Sequence, residues 1–128
     1  MSAPAPISVV VCDDVPELRK LARAVLEEDG EMQVVGEAGD GREAIEVIER
    51  LQPDVVVLDL SMPELDGLEA IPLIHQIAPR TEIVVFSGFE EGRVAEVALR
   101  LKASRYVRKG APLEDLRTAL RERAADAA

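Results

Sequence analysis
Short continuous apolar runs alternate with longer stretches in which apolar residues return every three or four positions, and the alternation persists from end to end. Ile7–Cys12 is the first run, a strand closed by Asp13-Asp14. From Pro16 to Asp29, Leu18, Leu21, Ala22, Val25 and Leu26 recur at helical spacing, with Pro16 suited to the first turn and Gly30 just past the end. Met32–Ala38 predicts a second, weaker strand. Asp40 and Glu43 form a capping-box pair for a helix over Gly41–Leu51. Val55–Leu58 is apolar at every position, the mark of a strand covered on both faces. Asp66 and Glu69 pair in the same way for a helix reaching about Ile77, where the interior Pro72 is expected to kink or loosen the backbone at ~3 kcal/mol. Glu82–Phe86 predicts a fourth strand, Glu90–Leu101 a fourth helix and Arg105–Val107 a short fifth strand. Leu113, Leu116 and Leu120 mark a last helix begun by Pro112.

Five strand-helix units joined by short turns predict an α/β fold: a doubly wound, open, five-stranded parallel sheet with five helices on its two faces, flavodoxin-like. Residues 7–122 are expected to form this one domain, with residues 1–6 a flexible lead-in and residues 123–128 a tail or the start of a linker. A chain of 128 residues has no room for a second domain. Only Phe86, Phe89 and Tyr106 are aromatic, so the core must be built from Val, Ile, Leu and Ala. The net charge of −10 repels phosphate backbones, which argues against direct nucleic-acid binding and against an anionic membrane surface. Cys12 is the single cysteine and cannot form an internal disulfide, and no apolar run reaches membrane-spanning length, so a cytoplasmic protein is expected.

In doubly wound sheets ligands bind outside the carboxyl ends of the strands. Polar residues gather there: Asp13-Asp14 after the first strand, Asp59 after the third, Ser87-Gly88 after the fourth and Lys109 after the fifth. In a sheet that sets the first and third strands side by side, the three carboxylates would converge and repel one another. Mg²⁺ suits such a group, since it takes oxygen ligands, accepts one or two carboxylates and leaves room for a phosphoryl oxygen. A carboxylate nucleophile beside Mg²⁺, with a lysine and a hydroxyl nearby, is the equipment for phosphoryl transfer to aspartate. Singly, each residue has a plainer reading. Asp13-Asp14 could cap the first helix, Lys109 could be solvated, and Tyr106 could be a half-buried strand residue. His75 reads as a surface or groove residue, Glu27-Glu28-Asp29 as a solvated helix end, and Arg117, Arg121 and Arg123 as bases near a helix C-terminus.

Five ordered stretches carry a resemblance to the receiver domain of two-component response regulators: Val9-Val10-Val11-Cys12-Asp13-Asp14, Val56-Val57-Leu58-Asp59-Leu60-Ser61-Met62-Pro63, Asp66-Gly67, Phe86-Ser87-Gly88 and Tyr106-Val107-Arg108-Lys109-Gly110. The resemblance implies the strand order 2-1-3-4-5, for which a receiver-type protein is a known example. It implies Asp59 as phosphoacceptor, and Asp13, Asp14, Asp59 and the backbone carbonyl of Ser61 as Mg²⁺ ligands. Lys109 would pair with the phosphoryl group, Ser87 would move toward it, and Tyr106 would change rotamer between states. Ser61 and Phe89 stand where the family tunes phosphoryl lifetime. Ser87 replaces the commoner Thr, and Gly110 follows Lys109 where Pro is frequent, a form associated with receivers of the NarL/FixJ type ahead of helix-turn-helix output domains.

The implied donor is a histidine kinase or a histidine phosphotransfer protein, and the implied output surface is the face of the fourth helix, fifth strand and fifth helix, which could also form a homodimer. No catalysis beyond the domain's own phosphorylation and dephosphorylation is implied. Two other readings remain at this point: a Mg²⁺-dependent phosphatase using an aspartyl-phosphate, and a docking module that ignores phosphorylation. Against the phosphatase, its usual Asp-x-Asp follows the first strand, whereas here the nucleophile candidate follows the third and Ser61 holds the second acid's place.

Overall fold
The structure, a computed structural model, describes residues 5–64, 67–88 and 93–127. Elements alternate as β1 (Ile7–Cys12), α1 (Pro16–Leu26), β2 (Met32–Ala38), α2 (Gly41–Leu51), β3 (Val55–Leu58), α3 (Gly67–Ile77), β4 (Glu82–Ser87), α4 (Arg93–Arg100), β5 (Arg105–Arg108) and α5 (Leu113–Ala127). All four strand pairings are parallel, and the order is β2-β1-β3-β4-β5, as the resemblance implied.

Alternate residues of each strand enter two separate cores. Val10, Cys12, Val56, Leu58, Ile83 and Val85 face α2, α3 and α4, where they meet Ile48, Ile71 and Ile74. Val9, Val11, Val55, Val57, Val84 and Phe86 face α1 and α5, against Leu26, Leu116 and Leu120. Two apolar faces on one strand explain the continuous runs in the sequence, since neither face meets water. Phe86 therefore belongs to the core under α1 and α5, against the expectation of a core built from Val, Ile, Leu and Ala alone. Phe89, the Asp66–Glu69 cap and the start of the fourth helix at Glu90 lie outside the described residues.

Helix ends show where local chemistry differs from pattern. Asp40 caps α2 as expected, its Oδ1 accepting the Glu43 N–H at 2.7 Å. The reciprocal arm reaches one residue further back, with Glu43 Oε1 accepting from Gly39 N–H at 3.2 Å. α1 stops at Leu26 rather than Asp29, with Glu27 as its C-cap, and the acids beyond it have partners of their own. Glu27 accepts the Val34 N–H at 2.9 Å, while Arg121 Nε lies 2.6 Å from Glu31 and Arg117 reaches Glu28 and Asp29 at 3.4 and 3.6 Å. Glu28 and Asp29 are exposed, as expected of a solvated helix end, and with Glu31 they also form an edge to which α5 is ion-paired. Because α5 runs on to Ala127, Arg117 and Arg121 stand in its middle rather than near its own C-terminus; they bridge to that edge, and Arg117 also donates to the Val25 carbonyl in the last turn of α1. α3 runs unbroken across Pro72, which is exposed. His75 Nε2 lies 2.8 Å from the carbonyl of Lys102, so it ties α3 to the turn after α4, where Lys102 has a φ of 84°.

The β1–β2 register slips between Val9 and Val10, leaving Val35 as an extra residue on β2. At Gly36, next along, α2 approaches closely: a Cβ there would meet Leu51 Cδ1 at 2.8 Å and Val47 Cγ1 at 2.9 Å. Leu51 can swing its end away, but Val47 is β-branched and stiff. Gly36→Ala is therefore expected to cost about 1–3 kcal/mol through overpacking, read as a lower urea midpoint with an unchanged slope.

Candidate functional site
Register alone brings the acids together. Cys12 pairs with Leu58 in the β1–β3 ladder, and the Asp59 N–H donates to the Cys12 carbonyl at 2.9 Å, so the next residue of each strand leaves the sheet at the same edge. Asp13 is held there by its own N–H, which donates to the Ala38 carbonyl at 3.0 Å. One carboxylate oxygen from each of Asp13, Asp14 and Asp59 lies within 4.8 Å of the other two. Asp13 and Asp59 are only 2 % and 1 % exposed, whereas Asp14 faces solvent. Neither of the first pair caps α1. The N-cap residue is Val15, with no side-chain bond, and Asp13 Oδ1 instead accepts the Val15 N–H at 3.0 Å.

Lys109 enters from the end of β5, its N–H bonded to the Ser87 carbonyl at 2.8 Å. Its Nζ lies 2.7 Å from Asp13 Oδ2 and 3.3 Å from Asp59 Oδ2. Burial by itself would lower the lysine, but the hydrogen bond to Asp13 and the charges of Asp59 and Asp13 outweigh it, and the ammonium is held above its ordinary value. Asp59 moves the other way from a paired carboxylate. Burial, the largest influence, pushes it up, against the Ser61 N–H, which donates to Asp59 Oδ1 at 3.1 Å, and against the Lys109 charge, while Asp13 adds to the rise. Asp59 Oδ2 is buried without a hydrogen bond; the ammonium is within ion-pairing range but does not meet hydrogen-bond geometry.

An unbonded buried carboxylate oxygen, three acids and one ammonium leave the pocket short of positive charge. Its donors are all oxygen, the set a hard divalent cation takes. Ser87 is fully buried at the end of β4. Tyr106, half-buried on β5, packs against the core under α2, α3 and α4. The Lys109–Gly110 bond is trans, as are all peptide bonds among the described residues. Cys12, fully buried directly beneath the acids, has its thiol pushed far up by burial and then by Glu43 and Asp13, which makes it a packing residue.

One contact of the acid turn escaped the sequence. Arg19 Nη1 donates to the Asp13 carbonyl at 2.6 Å, and Arg19 and Arg23 both grip Glu37 on β2. The visible signal was two arginines four apart on α1; the missing one was the β2 register, which the bulge at Val35 sets.

Replacing Asp59 with Asn removes the unrelieved charge. The Asp59→Asn protein, without divalent ions at pH 7, is expected to melt a few degrees above the parent, the size of about 1 kcal/mol in a chain of this length. A carboxyl with a raised folded value favours the folded state when protonated, so the parent loses stability as pH rises from 3.8 through that value. The gap between the two proteins should therefore widen over that window, as followed by circular dichroism.

The family model described as "response regulator receiver domain" matches residues 9–121. The chain is 44 % identical over 115 residues to a protein-glutamate methylesterase/protein-glutamine glutaminase of Rhizobium etli, an alignment that takes in 89 % of this chain and 33 % of that protein. It is 36 % identical over 125 residues to the nitrate/nitrite response regulator NarL of Escherichia coli, covering 98 % and 58 % respectively. The chain thus spans between a third and about three fifths of the length of these two relatives. The signal receiver domain of a NarL from Mycobacterium tuberculosis superposes with a TM-score of 0.89 at 32 % identity, covering 95 % of this chain and 98 % of that one. The response regulator domain of Thermotoga maritima CheB gives 0.83 at 32 %, covering 95 % and 96 %. Together with the parallel five-stranded sheet and the acid edge it carries, these matches make the chain a member of the response regulator receiver domain family.

Proposed function
We propose that this domain accepts one phosphoryl group on Asp59 from the phosphohistidine of a histidine kinase or a phosphotransfer protein, the partners with which receiver domains interact. The observation that supports this reading is Asp59 Oδ2: a buried, unbonded carboxylate oxygen with Lys109 Nζ 3.3 Å away. In the reaction an Asp59 oxygen attacks phosphorus in line as the bond from phosphorus to the donor imidazole breaks, and the imidazole leaves with its electron pair. Lys109 moves from its two carboxylates to a phosphoryl oxygen, and the Ser87 hydroxyl turns to another. Receiver domains bind Mg²⁺ at an acidic pocket; here Asp13, Asp14, Asp59 and the Ser61 carbonyl would hold it. When bound, the ion neutralises the acids and the charge that gathers on the phosphoryl oxygens.

The output follows from the same residues. Drawing Lys109 and Ser87 toward the phosphoryl group pulls on the ends of β4 and β5, and Tyr106, three residues from Lys109, changes its packing under α4. The face of α4, β5 and α5 then presents an altered surface to an effector domain or to a second copy. A cavity of about 220 Å³ between β5 and α5, lined in part by Arg105, Val107, Asp115 and Glu122, lies on that face. The matches to methylesterases and to NarL leave room for either an enzymatic or a DNA-binding output. The segment itself, at −10, is not the part that grips DNA.

Incubation with Mg²⁺ and acetyl phosphate is expected to add a single hydroxylamine-labile phosphoryl group, seen by intact-protein mass spectrometry. Asp59→Asn should take up none, and Lys109→Ala should label roughly 100-fold more slowly. Normal labelling of Asp59→Asn would end the assignment. Rapid multiple turnover of a phosphomonoester would favour a phosphatase, and partner binding untouched by Asp59→Ala would favour a phosphorylation-independent docking module.

A further inference from the structure
We infer that Arg19, braced by Glu37, is a positioning residue that holds the Asp13-Asp14 turn in the shape that binds a divalent cation. The inference rests on the cation site proposed above and names a residue outside it.

Arg19 occupies the first half of α1 and is largely covered, its side chain 20 % exposed. Nη1 donates to the Asp13 carbonyl at 2.6 Å, a short, charge-assisted bond. Nε donates to Glu37 Oε1 at 3.1 Å. The other oxygen of Glu37 takes Arg23 Nη1 at 2.7 Å, and Arg23 Nη2 reaches the Val34 carbonyl at 2.8 Å. An unbroken series of bonds therefore runs from the backbone of β2 through Arg23, Glu37 and Arg19 to the acid turn. The guanidinium also lies close to Gly39, where a Cβ would come within 3.3 Å of Nη1.

The peptide plane explains why one carbonyl matters. The Asp13 carbonyl shares a rigid plane with the N–H and Cα of Asp14, so fixing its oxygen fixes where the Asp14 side chain starts. Asp13 has further ties, through Ala38, Val15 and Lys109. Asp14 is exposed, and among the described residues Arg19 is the side chain that donates to the peptide leading into it. Partners that orient metal ligands from behind typically change affinity by roughly 10–100-fold when removed.

Charge and position make opposite forecasts here. As a positive charge, Arg19 repels a cation, so its removal would tighten binding. As a brace, its removal loosens the turn and weakens binding. The full 128-residue chain is titrated with MgCl₂ while the Asp13, Asp14 and Asp59 amide signals are followed by ¹⁵N NMR, with melting curves recorded in EDTA. Arg19→Ala is expected to weaken Mg²⁺ binding by roughly tenfold. Arg19→Lys, which keeps the charge and loses the fork, should behave like Arg19→Ala rather than like the parent. Glu37→Gln, which leaves Arg19 in place but loosens its brace, should weaken binding by a smaller factor and serves if the first variant fails to fold. Folded variants that melt lower but bind Mg²⁺ as the parent does, or more tightly, would overturn the inference and reduce Arg19 to a packing and charge role. A parent chain that binds no Mg²⁺ at these amides would remove the cation site itself, and the inference with it.

Discussion
Two carboxylates, Asp13 and Asp59, are buried at one edge of a sheet against a single ammonium, that of Lys109, and the rest of the structure follows from how that imbalance is held. In water the acids would separate or take up solvent. Here each is the residue after a strand whose backbone is locked into a ladder, so neither can retreat without breaking main-chain hydrogen bonds. The ladders are secured in turn by the two aliphatic cores, in which every residue of β3 is buried. Hydrophobic burial thus maintains an electrostatic arrangement that is unfavourable in isolation. The imbalance shows at Asp59 Oδ2, a buried oxygen with no hydrogen-bond partner.

The same arrangement links chemistry to shape. Lys109 is shared between Asp13 and Asp59, and its backbone is bonded to that of Ser87. Lys109 thus joins the charge on Asp59 to the ends of β4 and β5, strands covered by α4 on one face of the sheet and by α5 on the other. His75, bonded across to the Lys102 carbonyl, places α3 in contact with the turn that feeds β5, so the helix after Asp59 and the strand before Lys109 are mechanically joined. A short path of packed and bonded elements connects the acid edge with β5 and the helices beside it.

Much of this was legible in the residues. Strands with two buried faces write themselves as unbroken apolar runs, which is why Val55–Leu58 and Ile7–Cys12 were plain, and polar residues just after those runs marked the acid edge. Helix ends were less legible, because they depend on partners distant in sequence. Glu27-Glu28-Asp29 reads only as a solvated end, because the partners of Glu28 and Asp29, Arg117 and Arg121, lie some 90 residues on. Arg19 was silent for the same reason: its meaning depends on Glu37, whose position follows from a register slip that no periodicity announces. The division of burial was also hidden. Asp13 and Asp14 are adjacent in sequence, yet one is locked to Lys109 and the other is open to solvent.

The titration of Asp59 tests most directly whether the protein alone leaves its carboxylate short of positive charge. With ¹³C label in the aspartate carboxyls, the Asp59 resonance followed against pH is expected to titrate above the ordinary 3.8 in metal-free protein and to fall when Mg²⁺ is added. An Asp59 that titrates at or below 3.8 and ignores Mg²⁺ would contradict this, because the charge would then be satisfied by the protein alone.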